Sequence, residues 1–123
     1  MQYQNTSFAA GRSAFVHVNP QGANDELIFQ AKTSMVPVLG GKIAMTSASI
    51  TLNRAKEVTA VATGPSSSVN NSVKLSYNIV KGDAGAFDAL EAEVLRVLAL
   101  ARTKYNLDAG LVPTGTADFT STP

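Results

Sequence analysis

The chain has 123 residues, 45% of them hydrophobic and 15% charged, with no cysteine and no tryptophan. That composition reads as one globular domain spanning 1–123, not as a disordered segment, and without cysteine there is no disulfide, thiolate metal site or cysteine nucleophile. The net charge of +1 conceals an asymmetry, +4 through Lys81 and −3 from Gly82 onward, which places any anionic partner on the first part.

The signals up to Lys81 are short strands separated by turn residues. Gln2 to Phe8 and Ser13 to Val18 flank Ala9-Ala10-Gly11-Arg12, the pattern of a hairpin turn. Phe15-Val16-His17-Val18 runs into Asn19-Pro20-Gln21-Gly22, a strong strand stop. Asp25 to Thr33 places Leu27, Phe29 and Ala31 on one face and Glu26, Gln30 and Lys32 near the other, and Asp25-Glu26 reads as a solvated strand start. Met35 to Gly41 reads as a connection, because Pro37 and a glycine pair break a regular ladder. Lys42 to Leu52 is a longer strand in which Ile43 and Met45 have one parity and Ile50 and Leu52 the other, so a bulge is expected near Ser47. Asn53-Arg54-Ala55-Lys56 reads as a hairpin loop leading to a strand from Glu57 to Thr63, and Gly64 to Asn71 as a polar loop. In the last strand Val73, Leu75, Tyr77 and Ile79 alternate with Lys74, Ser76 and Asn78, which gives the strand two chemically different faces.

Ala84 to Tyr105 is the one convincing helix, rich in Ala, Leu and Glu. Phe87, Leu90, Val94, Val97, Leu98, Ala101 and Tyr105 fall on one stripe, with Leu95 and Leu100 off it. Either Asp83 or a capping box of Asp88 and Glu91 starts the helix, and Arg96, Arg102 and Lys104 trail where the dipole favours cations. A short second helical turn is expected near Asn106 to Ala109, and 116–123 as a flexible tail. Strands followed by helix is α+β order. One helix of about 20 residues is about 30 Å long and about 10 Å wide. That is too narrow to roof five or more strands spaced about 4.8 Å apart. Two molecules joined edge to edge, each contributing its helix, would solve the mismatch.

The chemistry-bearing residues form no catalytic set. His17 is the only histidine and lies in an apolar strand, Glu91 and Glu93 straddle different helix faces, and Gly40-Gly41-Lys42 lacks the rest of a phosphate-binding loop. No enzyme activity, metal or cofactor is therefore expected. No apolar run reaches membrane-spanning length, and the polar Met1 to Asn5 start is not a signal peptide, so synthesis in a cytoplasm is expected. Lys42, Thr46, Thr59, Thr63, Lys74, Ser76 and Asn78 are candidates for a sheet face that neutralises phosphates and hydrogen-bonds sugars or bases. A solvated sheet face has the same composition without any ligand.

Three stretches and their order carry a resemblance. They are Phe15 to Val18 closing on Asn19-Pro20-Gln21-Gly22, Asp25 to Lys32 followed by a Pro-Gly connection into Lys42, and Leu111-Val112-Pro113-Thr114-Gly115 after the helix. Together they resemble the coat proteins of single-stranded RNA bacteriophages, the levivirus-like family, over roughly Gln2 to Gly115. The short Gly64 to Asn71 loop, the absent cysteine and the tail beyond Gly115 depart from that pattern. The resemblance implies an antiparallel meander with one long and one short C-terminal helix packed across a dimer partner's sheet, with Phe87, Leu90, Val94, Val97, Leu98 and Ala101 at the dimer interface. It also implies an icosahedral shell around single-stranded RNA, assembled in a host bacterial cytoplasm and ending in the virion, with no membrane. An RNA hairpin bound through Lys42, Thr46, Thr59, Lys74, Ser76 and Asn78, and repression of replicase translation, complete what it implies. The alternative is a non-viral nucleic-acid-binding β module, which usually displays aromatic residues for base stacking.

Overall fold

The computed structural model describes residues 3–18, 24–115 and 118–120, so the Asn19 to Gly22 turn lies outside the described residues. The chain forms two compact units, Met1–Lys81 and Gly82–Pro123.

The first unit is one antiparallel sheet in chain order, β1 (Gln4–Ala9), β2 (Arg12–Val18), β3 (Asn24–Val38), β4 (Gly41–Thr59) and β5 (Ser66–Val80). Gly11 makes the β1–β2 turn at φ +76°. Its carbonyl accepts from the Ala31 N–H at 2.9 Å, which ties the turn to β3.

Four expectations are corrected. Met35 to Gly41 is not a loose connection, because β3 runs through Pro37, which pairs with Lys42, and only Leu39 and Gly40 turn. On its other side β3 pairs with β2 no further than Gln30 and its last bond to the hairpin is from the Ala31 N–H, so at Pro37 a missing N–H breaks no ladder. Ser47 carries no bulge, since the β3–β4 and β4–β5 registers are uninterrupted there; the irregularity lies in β1, between Asn5 and Ser7. The parity change has a different cause: Ile43 and Met45 share a face with Val36 and Val80, an apolar patch at one end of the otherwise polar side.

Asn53 to Lys56 is continuous strand, held by side-chain bonds across the ladder, with Asn53 donating to Glu26 at 3.2 Å. Ser66 to Asn71 is strand as well, and the loop is only 60–65. β4 and β5 pair with one another from Ala55↔Asn70 to Thr59↔Ser66, past the last β3 partner at Arg54. A two-stranded arm open on both faces can be polar at every position, which is why its sequence reads as loop.

In the second unit α1 spans Ala84–Thr103. Asp83, not Asp88, caps it: its carboxylate accepts from the Ala86 N–H at 3.1 Å. The expected second helical turn is a 3-10 turn, Leu107–Ala109, entered through Asn106 at φ 58° and closed by Gly110 at φ 83°. Arg102 and Asp108 form an ion pair at 3.0 Å between the helix and this turn. Residues 118–120 contact the same unit: the Arg96 guanidinium donates to the Phe119 carbonyl, and the Tyr105 hydroxyl donates to the Asp118 carbonyl at 3.0 Å.

Candidate nucleic-acid interface

Cross-strand partners share a face and successive residues swap faces, so the ladder sorts every strand residue. One face carries Phe8, Phe15, Leu27, Phe29, Ile50, Leu52, Val73, Leu75, Tyr77 and Ile79. Phe8 is 82% exposed and Val73 74%. Phe15 and Phe29 meet edge to face at 5.8 Å, and the Ala31–Ala48 pair leaves an apolar depression bordered by Phe8, Phe29, Ile50 and Tyr77.

Asp25 and Arg54 close one end of this face. Asp25 is not the solvated strand start expected from sequence but is fully buried. Arg54 grips it with two bonds of 2.8 Å, and this pairing raises the guanidinium pKa. His17 stands opposite Asp25 in the ladder and its ring lies 5.2 Å from that of Tyr3. Among the described residues no cluster of His, Asp and Glu is arranged to hold a metal.

The opposite face is more polar over most of its length. Arg12, Gln30, Ser49 and Ser76 form one straight row across β2, β3, β4 and β5. Lys32, Ser47 and Asn78 form the next row on one side, and Ile28, Thr51 and Lys74 the next on the other. Ser47 donates to Asn78 Oδ1 at 3.0 Å, and Ser49 makes a weaker contact of 3.5 Å to Gln30 Oε1. A depression of about 420 Å³ opens over these rows, with Arg12, Lys32 and Lys74 among its lining residues.

The seven sequence candidates therefore divide, and Thr63 lies in the 60–65 loop, off the sheet. Lys74, Ser76 and Asn78 lie together on the polar face. Thr59 has the same parity but sits on the arm opposite Ser66, eight residues and about 27 Å along β4 from Thr51. Lys42 and Thr46 lie on the other face, where Lys42 pairs with Pro37 and Thr46 with Ile79, because without a bulge their parity matches Ala48 and Ile50. Arg12, Gln30 and Lys32 are absent from the sequence-derived set. Lys32 is recoverable from its alternation with Phe29 and Ala31, whereas Arg12 reads as a turn residue and joins the row only through its pairing with Gln30.

Of the helix residues assigned to a dimer interface, Ala101 is buried within the chain and Phe87 and Val97 are half-buried, while Leu90, Val94 and Leu98 are exposed. Leu100, off the sequence stripe, is buried and Leu95 is exposed.

No family model and no curated protein matches the sequence. Solved structures do. The virus-like particle of bacteriophage PQ-465 matches with a TM-score of 0.73 at 18% identity, covering 95% of this chain and 93% of that one. The virus-like particles of bacteriophages AVE015 and ESE001 match with TM-scores of 0.59 and 0.56 at 14% and 18% identity. They cover 91% and 99% of this chain and 82% and 100% of theirs. The chain has the fold of these phage particle subunits. On that phage-shell fold, the meander presents one apolar face and one basic, hydroxyl-rich face.

Proposed function

We propose that this chain is a structural coat subunit that dimerises and assembles into an icosahedral shell enclosing single-stranded RNA. The observation that carries the reading is the division of one sheet into two faces on a fold shared with phage virus-like particles. The exposed aromatic and aliphatic residues of the apolar face, and the exposed Leu90, Val94 and Leu98 of the helix, are the surfaces a second copy covers. The polar face, with Arg12, Lys32 and Lys74, then faces the enclosed polyanion. The reading is structural and non-catalytic, and its location is the virion.

Electron microscopy of the purified protein, with extraction of nuclease-protected nucleic acid, tests this. Uniform shells containing single-stranded RNA are expected. A monodisperse protein that binds RNA but never forms shells supports the non-viral nucleic-acid-binding β module instead. Hairpin recognition and repression of replicase translation, the finer functions implied by the sequence resemblance, require base-specific contacts on the same polar face.

A further inference from the structure

Resting on the reading of the exposed Leu90, Val94 and Leu98 as the side a second copy covers, we infer that Asp118–Thr120 is a clasp over the other apolar side of α1, and that it keeps that side from joining further copies. The helix has two such sides. Leu90, Val94 and Leu98 recur at steps of four and are exposed, whereas Leu100 is 3% exposed. Two residues along an α-helix are a rotation of about 200°, so Leu98 and Leu100 point nearly opposite ways. Two sides need two covers.

Arg96, Leu100 and Lys104 also follow one another at steps of four, so they share one side. Both cations hold the C-terminal segment. The Arg96 guanidinium donates to the Phe119 carbonyl, and Lys104 Nζ lies 3.6 Å from the Asp118 carboxylate. Leu100, the most buried residue of α1, sits between these two anchors.

The grip is built for this segment. The Tyr105 hydroxyl accepts from the Asp118 N–H at 2.6 Å and donates to its carbonyl at 3.0 Å, so one side chain satisfies both backbone groups of one residue. The Tyr105 ring meets that of Phe119 at 5.2 Å. Glu93 orients Arg96 through two bonds of 3.1 and 2.6 Å. Asp118 Oδ1 accepts from the Thr120 N–H at 2.9 Å and from its hydroxyl at 2.6 Å, which fixes the segment as a turn. Without the clasp, α1 would be apolar on opposite sides, and such a helix seeks partners on both. A closed assembly needs each surface to have one defined neighbour, and an additional sticky surface invites contacts that do not close.

The test keeps the full chain. Tyr105→Phe with Phe119→Ser removes both backbone bonds and the ring contact. This unclasped variant is compared with wild type by light scattering and by binding of the apolar dye anilinonaphthalene sulfonate. The expected result is a rise in dye fluorescence of about twofold or more, with growth past the wild-type assembly into irregular aggregates. Adding Leu100→Gln to the unclasped chain should reverse both changes, because Gln is polar and a good helix former. If the segment served only to stiffen the helix, that third substitution would not reverse them. Dye binding and association equal to wild type in the unclasped variant overturn the proposal, and so does a failure of Leu100→Gln to reverse the changes. Should the unclasped chain lose its helical circular dichroism, Arg96→Gln alone, which frees only the Phe119 carbonyl, takes its place with the same expected and overturning results. Absence of shells from the wild type counts against the coat reading alone, since the dye and reversal readouts compare chains in any state of assembly.

Discussion

Arg54 reaches across from β4 to Asp25 on β3 with two parallel 2.8 Å bonds, and the carboxylate it holds is fully buried while the guanidinium side chain is 55% exposed. A buried carboxylate needs charge and geometry together, and a lysine supplies only the first. Arg54→Ala should lower the melting temperature clearly, and Arg54→Lys should recover only part of the loss. Equal melting of wild type and Arg54→Ala in a thermal scan would show that the pair does not anchor the sheet.

Gly11 should not tolerate a side chain. Its φ of +76° costs an L-residue about 1–2 kcal/mol. An added Cβ would also lie 2.7 Å from the Ala31 carbonyl oxygen, a rigid backbone atom. Gly11→Ala should therefore destabilise by more than Gly82→Ala, where φ is also positive but nothing lies within 4 Å. Denaturant midpoints of the two variants give the comparison.

The face assignment separates two lysines that sequence alone groups together. Lys42→Ala, on the apolar side, should leave RNA affinity and its salt slope unchanged, whereas Lys74→Ala should make the slope shallower by about 0.7. A register error would exchange these outcomes. Salt titrations of both variants decide between them.

Leu75 is 41% exposed in the single chain, on the face a second copy is proposed to cover. Leu75→Ala should cost about 2–5 kcal/mol in the assembled dimer through a cavity. The loss should appear as a melting temperature that depends more steeply on protein concentration. Light scattering at micromolar concentration provides the control: a well-folded monomer there would refute the obligate dimer.

Asp118 is held below the usual aspartate range, first by its side-chain bond from Thr120, then by the Thr120 backbone N–H and the charge of Lys104. Because the folded-state value is lowered, its contribution is complete above the ordinary value of 3.8 and is lost as pH falls through the folded-state value. Amide exchange at Thr120 should thus be insensitive to this group from neutral pH down to about 4, apart from the intrinsic exchange rate, and lose protection below it. Asp118→Asn should show weaker protection at neutral pH.

The sequence by itself determined the α+β order, the helix from Ala84 and the two-faced β5, because each of these is a local or periodic signal. It determined the β5 pattern from Val73 to Ile79 because period-two alternation is visible wherever the two faces meet different surroundings. It misread Asn53 to Lys56 and Ser66 to Asn71 because polar strand residues and turn residues have the same composition. Only pairing with Glu26, Asp25 and the opposite strand distinguishes them. Tertiary structure also decided the site. Whether Lys42 belongs with Lys74 depends on one residue of register, and Arg12 meets Gln30 through the β2–β3 ladder, which the Ala31 N–H to Gly11 carbonyl bond extends. Face membership is a property of the ladder, and long-range hydrogen bonds, not local sequence, set the ladder.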